Sequence, residues 1–371
     1  MTIGILKEPS YETRVSLLPE AISFFDKLNV NVCVEQDAGI QAAAMNEAYL
    51  QKGAKLLSRT EMLPQCDLIV SIHAIPIEEL KICKKGVVLI GVYQPLFQKE
   101  LMQAWASTSA VVFSMDMLPR TTRAQSMDVL SSQANISGYK AVLTAANMYP
   151  RYFPMFMTAA GSIPPAKILI LGAGVAGLQA IATAKRLGAV VEVFDTRPAV
   201  KEEVMSLGAK FIEVEGAADA SKAGGYAVEQ SKDYQDKQQQ KIAESAAKAD
   251  IIITTAQIPG RKAPVLITDD MMQKMRAGSV VIDLAASTGG NTSRTVNNET
   301  IVYQDITIYG NSSLQSTMPS DASKLYGKNI CNFLALILSK DGNIAINFDD
   351  DLVKGSCITK DGKIIHEKMN Q

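Results

Sequence analysis

The most constraining part of the sequence is residues 167–195, where an apolar segment leads directly into a glycine-rich turn. The apolar segment, residues 168–171, is typical of a strand buried on both faces of a parallel sheet. Gly172, Gly174 and Gly177 follow in the spacing G-x-G-x-x-G. In a strand–turn–helix unit the first such glycine permits a tight turn, the second lets backbone approach a pyrophosphate, and the third lets the helix pack closely on the strand. The pattern therefore predicts a dinucleotide-binding turn.

The residues after the turn complete this unit. An Ala- and Leu-rich segment predicts a helix that ends at Leu187, with Gly188 as the terminating glycine. A second strand, residues 190–194, leads to Asp195, at the separation expected for an acid that binds a ribose 2′-hydroxyl. A carboxylate there favours NAD over NADP because it would repel a 2′-phosphate, although Arg197 leaves this preference open. The expected cofactor-binding residues of the unit are Gly172, Gly174, Val175, Ala176, Gly177, Asp195, Thr196 and Arg197.

Composition argues against several classes of protein. The chain has 371 residues, enough for two domains with separate cores. Its net charge of −1 does not indicate a nucleic-acid partner. The five cysteines are scattered without a C-x-x-C pair, which favours reduced thiols and predicts no metal site. No apolar run approaches the roughly 18 residues of a membrane span, and the first residues match a strand rather than a signal peptide, so we expect that the chain does not itself cross a bilayer.

Strands and helices alternate along the N-terminal third of the chain. Strands are predicted at residues 2–7, 30–35, 68–72, 86–92 and 110–114, and helices at residues 18–28, 42–53 and 101–107. Such a series is typical of a parallel sheet flanked by helices. Because this region lacks a glycine-rich phosphate turn, we expect it to form a partner domain without a nucleotide site.

A second domain is predicted around the glycine turn, entered by a helix at residues 131–148. Its later strands are expected at residues 210–214, 251–254, 279–284 and 307–310. A helix over residues 321–339 is expected to return to the first domain, followed by a hairpin of residues 352–357 and 363–366 around Asp361-Gly362. The sequence thus predicts an α/β protein with two Rossmann-like, doubly wound parallel-sheet domains and a cleft between them. Residues 1–135 plus 320–371 form the first domain and residues 138–319 the second.

Residues 216–240 form a polar insertion, rich in Gly and Ala at first and compatible with a helix later. This insertion is longer than the connection that a Rossmann-like half normally needs. It is either a disordered surface loop or a mobile lid over the cofactor, in which Tyr226 would be the working residue.

Residues 119–133, PRTTRAQSMDVLSSQ, combine dense polar groups with mixed charge. Taken alone, they are compatible with a solvated loop and a helix N-cap. The segment nevertheless closely resembles the Arg–Gln–Asp loop of proton-translocating nicotinamide nucleotide transhydrogenases. The resemblance to the NAD(H)-binding component of that family covers nearly the whole chain, and the N-terminus is also similar to alanine dehydrogenase. The other segments that carry it are residues 4–15, 157–161, 172–189, 263–268 and 281–285.

The resemblance implies a function shared among several components. Arg120, Gln125, Asp128 and Ser131 would hold the dihydronicotinamide; Tyr226 would belong to the family's mobile loop, and Gln257 and Pro259 would pack against the middle of the cofactor. NAD(H) would bind here and NADP(H) on a partner component, with direct, Re/Si-specific hydride transfer coupled to proton translocation by a membrane-embedded channel component. The resemblance also implies a homodimer, a nicotinamide site open towards the partner, and a cytoplasmic location on the inner face of the cytoplasmic membrane.

Two other functions stay open. An alanine dehydrogenase would need acid–base groups near its substrate, which that family supplies as a lysine, a histidine and a carboxylate. At the corresponding positions this chain has residues 71–73, Ser-Ile-His, then residues 91–95, Gly-Val-Tyr-Gln-Pro, and Ser287. Direct hydride transfer needs position and orientation rather than such groups, which favours the transhydrogenase interpretation. The remaining possibility is an NAD-binding module without catalysis.

Overall fold

In the computed structural model, residues 1–26, 28–216, 218, 231–258 and 260–369 are described. The chain divides into two compact units. Unit 1 contains Met1–Gln133 and Ser316–Gln371, and unit 2 contains Ala134–Gln315. Each unit has its own sheet, covered on both faces by buried apolar side chains.

Unit 1 is built around an eight-stranded sheet of described residues. Hydrogen-bonded neighbours follow in the order Lys363–Ile364, Cys357–Lys360, Val111–Ser114, Val88–Gly91, Leu68–Val70, Thr2–Ile5, Asn31–Glu35 and Lys55–Leu57. The last six of these strands are parallel, and the two C-terminal strands are antiparallel. The predicted α/β class is confirmed for this unit. The short edge strand Lys55–Leu57 was not predicted.

Short helices connect the parallel strands of unit 1. Its α-helices are Asn46–Gln51, Arg59–Met62, Ile77–Ile82, Lys99–Ser107, Pro319–Ile337 and Asp351–Ser356, and its longer 3-10 helices are Pro19–Phe24 and Thr122–Met127. The prediction of one α-helix over residues 18–28 is wrong, because the 3-10 helix ends at Phe24 and Asn29 has a left-handed φ of 49°. The predicted helix over residues 42–53 is also shorter, since Ala43 has a φ of 61° and the α-helix begins at Asn46. Left-handed residues do not continue a right-handed helix.

The C-terminal hairpin is present, but the sequence pattern misplaced its first strand. Residues 351–356 are helical because the Asp350 carboxylate accepts from the backbone N–H of Leu352 at 2.9 Å, which caps the helix. The strand begins only at Cys357 and pairs with Lys363–Ile364. The turn lies where it was predicted, with a φ of 50° at Asp361 and 77° at Gly362.

Unit 2 contains the glycine-rich turn near the centre of its seven-stranded sheet of described residues. The strand order is Lys210–Phe211, Val190–Phe194, Lys167–Leu171, Ile251–Thr254, Val280–Asp283, Ile306–Gly310 and Glu299–Tyr303. All strands are parallel except the last, which is antiparallel at the edge. The order of the parallel strands is that of a doubly wound dinucleotide-binding sheet, in which the chain reverses direction beside the first strand. The predicted Rossmann-like class is confirmed.

The helices of unit 2 fix the ends of these strands. Val129–Met148 begins in unit 1 and continues into unit 2, whose other α-helices are Val175–Arg186, Lys201–Ser206, Lys232–Ala246 and Asp269–Met272. A small exposed hairpin, Phe156–Thr158 with Gly161–Ile163, precedes the glycine turn. The second half of the polar insertion is therefore helical from Lys232 onwards. No helix among the described residues is long and apolar enough to cross a membrane.

Candidate functional site

The first and third glycines of the turn are required by the packing of the chain itself. Gly172 has a φ of 105°, and a Cβ built on it would lie 2.4 Å from Oγ1 of Thr255. A Cβ on Gly177 would lie 1.9 Å from the carbonyl oxygen of Gly172. Both values are far below van der Waals contact, so these two positions accept only glycine without movement of the backbone.

The second glycine behaves differently. A Cβ on Gly174 meets no other described atom within 4 Å, and its φ of −77° is accessible to any residue. Gly174 is the N-cap of the helix Val175–Arg186, whose first N–H groups have no acceptors within the helix. An open space beside a helix N-terminus is suited to a phosphate group. Val175 is exposed there, and Ala176 is half-buried.

Asp195 joins the turn to the end of the second strand. One carboxylate oxygen, Oδ2, accepts from the backbone N–H of Ala173 at 2.7 Å and from Nη2 of Arg197 at 2.8 Å. The other, Oδ1, accepts from the backbone N–H of Arg197 at 2.8 Å and from its Nε at 2.9 Å. The hydrogen bonds to Asp195 raise the pKa of Arg197 above its usual value, against the opposing effect of burial. Thr196 lies half-buried between the pair.

A second group of polar residues lies at the end of the neighbouring strand. Oγ1 of Thr255 donates to the carbonyl oxygen of Gly172 at 3.2 Å, and the side chain of Asn291 bonds to both the N–H and the carbonyl of Ala256. Gln257 is exposed, and its Nε2 donates to the carbonyl of Leu284 at 3.0 Å. The other two predicted cofactor residues, Tyr226 and Pro259, lie outside the described residues.

The predicted nicotinamide-binding residues all belong to unit 1. Arg120 and Gln125 are exposed, the latter on the 3-10 helix Thr122–Met127. Asp128 precedes the helix Val129–Met148, and its carboxylate accepts from the backbone N–H of Ser131 at 2.9 Å and from the Ser131 hydroxyl at 2.6 Å. This is the geometry of an N-cap, so Asp128 has a structural role whatever it binds.

Residues that the sequence patterns did not indicate hold this segment in place. The side-chain amides of Asn329 and Asn332, on the helix Pro319–Ile337, each donate to the carbonyl of Ser126 at 2.8 Å. Arg123 forms an ion pair with Asp350, with distances of 2.7 and 2.6 Å. The asparagines are about 200 residues away along the chain, and no local pattern relates them to the segment. Their one sequence signal is that they are amides in an otherwise apolar helix.

A buried polar cluster, also not predicted, lies near the N-terminus of unit 1. Glu12 accepts two bonds from the guanidinium of Arg14, at 2.8 and 2.6 Å, and Nε2 of His73 lies 2.8 Å from Oε2 of Glu12. Burial opposes ionisation of Glu12, but the bonds from Arg14 and His73 outweigh it and lower its pKa to about 2. Burial raises the pKa of Glu8 to about 7, although the backbone N–H groups of Ile72 and His73 bond to its carboxylate.

The match to known proteins covers both units. A family model described as "Alanine dehydrogenase/PNT, N-terminal domain" matches residues 4–137, and the corresponding C-terminal domain model matches residues 141–367. The chain belongs to this family. Among curated members, the first of the separate chains that make up the NAD(P) transhydrogenase alpha subunit of Rickettsia prowazekii is 44% identical, over 99% of this chain and 96% of that protein.

Solved structures of the alanine dehydrogenase/PNT family share the fold. The transhydrogenase from Sinorhizobium meliloti matches with a TM-score of 0.86 and 38% identity, covering 99% of this chain and 100% of that chain. An L-alanine dehydrogenase matches with a TM-score of 0.83, covering 100% of this chain and 98% of that chain, but at 21% identity it supports the fold alone. The similarity to transhydrogenase alpha chains supports a transhydrogenase component and confirms the resemblance deduced from residues 119–133.

Proposed function

We propose that this chain is the NAD(H)-binding component of a proton-translocating transhydrogenase. It binds NAD(H) in unit 2 and passes hydride directly to or from NADP(H) on a partner component, while a membrane-embedded component couples the transfer to proton movement. The chain acts as a homodimer on the inner face of the cytoplasmic membrane. The observation that carries the proposal is the contrast at the glycine turn, where Gly174 faces open space and Gly172 and Gly177 do not.

Residues of unit 2 supply the binding contacts in this proposal. The N–H groups that open the helix at Val175 bind the pyrophosphate, because they point out of the helix and carry the positive end of its dipole. Asp195 binds the adenosine ribose from the end of the second strand. Thr255 and Asn291 keep the facing strand end in position through their bonds to Gly172 and Ala256.

Residues of unit 1 orient the reacting ring. The bound nicotinamide itself supplies the chemistry, since a hydride leaves C4 of NADH for C4 of NADP⁺ with no proton exchanged at that step. Gln125 offers both a donor and an acceptor, which matches a carboxamide. Arg120, Asp128 and Ser131 complete the orienting set. Correct positioning replaces acid–base catalysis in such a transfer.

The local chemistry does not favour an amino-acid dehydrogenase. Such an enzyme needs a proton-transfer group free to reach its substrate. His73 is instead bonded through Nε2 to the buried carboxylate of Glu12. Ser287, at the position of the acid in that class, has no ionisable group, and its backbone N–H donates to Ser312.

The proposal is tested by mixing the purified full chain with a transhydrogenase NADP(H)-binding component. We expect NADPH-dependent reduction of acetylpyridine adenine dinucleotide, followed by absorbance, only when both proteins are present. The full chain alone should bind NADH in a fluorescence titration. L-alanine and NAD⁺ with the chain alone provide the control for the dehydrogenase alternative.

Each result discriminates between the candidate functions. Reduction of NAD⁺ by L-alanine would support the dehydrogenase and overturn the proposal. NADH binding with no hydride transfer in the mixture would support a binding module without catalysis. Absence of NADH binding would remove the basis for all three functions.

A further inference from the structure

The carboxylate of Asp195 is saturated by its own chain. Ionised carboxylates offer about four lone-pair positions. In this structure Asp195 accepts four N–H bonds, two from backbone groups and two from the Arg197 guanidinium. Asp195 is 9% exposed, and the side chain of Arg197 is 18% exposed. A ribose hydroxyl that donates to this carboxylate therefore has to displace one of the existing donors.

Only the guanidinium is able to leave without unfolding the turn. The N–H of Ala173 belongs to the glycine turn, between Gly172 and Gly174, and the N–H of Arg197 belongs to the loop that Pro198 then makes rigid. The side chain of Arg197 is held only by rotatable bonds. A second acid, Glu203, is close enough to contribute favourably to the charge of Arg197. The guanidinium thus has a nearby carboxylate when it swings away from Asp195.

We propose that Arg197 competes with the adenosine ribose for Asp195 and thereby sets the preference of this site between NADH and NADPH. The inference rests on the NAD(H) site proposed above. Binding of NADH replaces two charge-assisted bonds of Arg197 with bonds from neutral hydroxyls, which weakens NADH binding. Once displaced, the same guanidinium lies beside the ribose, where an arginine accommodates a 2′-phosphate. Arg197 therefore works against NADH and in favour of NADPH.

The test uses the full chain with Arg197→Ala and Arg197→Lys, titrated with NADH and with NADPH by fluorescence. In Arg197→Ala we expect the Kd for NADH to fall by about two- to tenfold, because the ribose no longer competes for Asp195. The Kd for NADPH should rise by about tenfold or more, because a bare carboxylate repels the 2′-phosphate. Arg197→Lys should lie between, since lysine keeps the charge but not the planar fork.

A merely structural role for Arg197 predicts a different pattern. Loss of the loop geometry would weaken NADH and NADPH binding together, and the ratio of the two Kd values would not change. Such a result, or weaker NADH binding in Arg197→Ala with the thermal midpoint unchanged, would overturn the inference. The salt dependence of NADPH binding gives a second measurement, which should be steeper for wild type than for Arg197→Ala. If wild type binds neither nucleotide, the proposed site fails before this inference is reached.

Discussion

The ideal Cβ position of Gly177 lies 1.9 Å from the carbonyl oxygen of Gly172, so the third glycine of the turn packs directly against the first. The helix that begins at Val175 therefore lies against the end of the strand Lys167–Leu171. A few residues away, the same construction at Gly174 meets no described atom within 4 Å. One glycine serves the fold and another leaves room for a ligand, and the two roles are separable by mutation.

Gly177→Ala should destabilise the protein. The added methyl group has to displace the backbone of Gly172, and overpacking of this kind costs about 1–3 kcal/mol. Urea unfolding followed by circular dichroism measures the change in the free energy of unfolding. A loss below about 0.5 kcal/mol, the range of ordinary surface substitutions, would contradict the close packing.

Gly174→Ala is the matched variant. Its methyl group enters open space, so we expect the free energy of unfolding to change by less than about 1 kcal/mol. NADH binding should weaken by about tenfold or more, because the methyl group occupies the space proposed for the pyrophosphate. A fluorescence titration that gives the wild-type Kd would contradict that location of the pyrophosphate.

Asp128→Asn should separate the structural role of Asp128 from its proposed role in holding the nicotinamide. Asparagine is as good an N-cap as aspartate, whereas alanine in its place costs about 1 kcal/mol. We therefore expect stability to fall in Asp128→Ala but not in Asp128→Asn. The hydride-transfer rate in the two-component assay should fall in both. A wild-type rate in Asp128→Asn would show that Asp128 serves only as a cap.

Glu8 should make the folded protein less stable as the pH rises. Its pKa is raised from 4.5 to about 7 in the folded chain, so between these values the folded state holds a proton that the unfolded state releases. The stabilisation is complete below pH 4.5 and is lost as the pH rises through 7, a total of about 3 kcal/mol. Unfolding measured from pH 4.5 to 8 should show a smaller decline in Glu8→Gln than in wild type. Identical slopes would contradict the raised pKa.

Removal of the Glu12 carboxylate should be costly at neutral pH. The side chains of Glu12 and Arg14 are 2% and 6% exposed, so Glu12→Gln leaves a buried guanidinium without its counter-charge. Breaking such a pair costs about 3–5 kcal/mol, and the double variant Glu12→Gln/Arg14→Met should recover some of it. In wild type this contribution is present above pH 4.5 and is lost as the pH falls towards the Glu12 pKa of about 2. Chemical unfolding of the three proteins at pH 7 tests it, and equal losses in the single and double variants would contradict the pairing.

The central strands could be predicted because their residues are almost all apolar. Ile251–Thr254 and Val280–Asp283 are buried throughout, and a parallel strand covered on both faces requires such a run. The edge strand Glu299–Tyr303 was missed because it is mostly exposed and mixes polar with apolar residues. The helix before Cys357 was missed because its apolar residues are also compatible with a strand, and the deciding contact is the Asp350 cap.

The dinucleotide unit was legible in the sequence because its strand, turn, helix and acid are contiguous and each follows a local rule. The anchors of the segment around residues 119–133 were not, because Asn329 and Asn332 reach the carbonyl of Ser126 from a distant helix. The resemblance to a known family identified that segment, but local physics alone was compatible with a solvated loop.

The sequence by itself thus determined the fold class and the place of the glycine turn, since hydrophobic period and backbone freedom are properties of neighbouring residues. Only the tertiary structure decided how Asp195 is occupied. Its four hydrogen bonds come from two chain segments that the sheet brings together, and neither the bond to Ala173 nor the saturation of the carboxylate follows from spacing. Hydrogen-bond partners depend on distances that folding alone sets, whereas strand and turn preferences act along the chain.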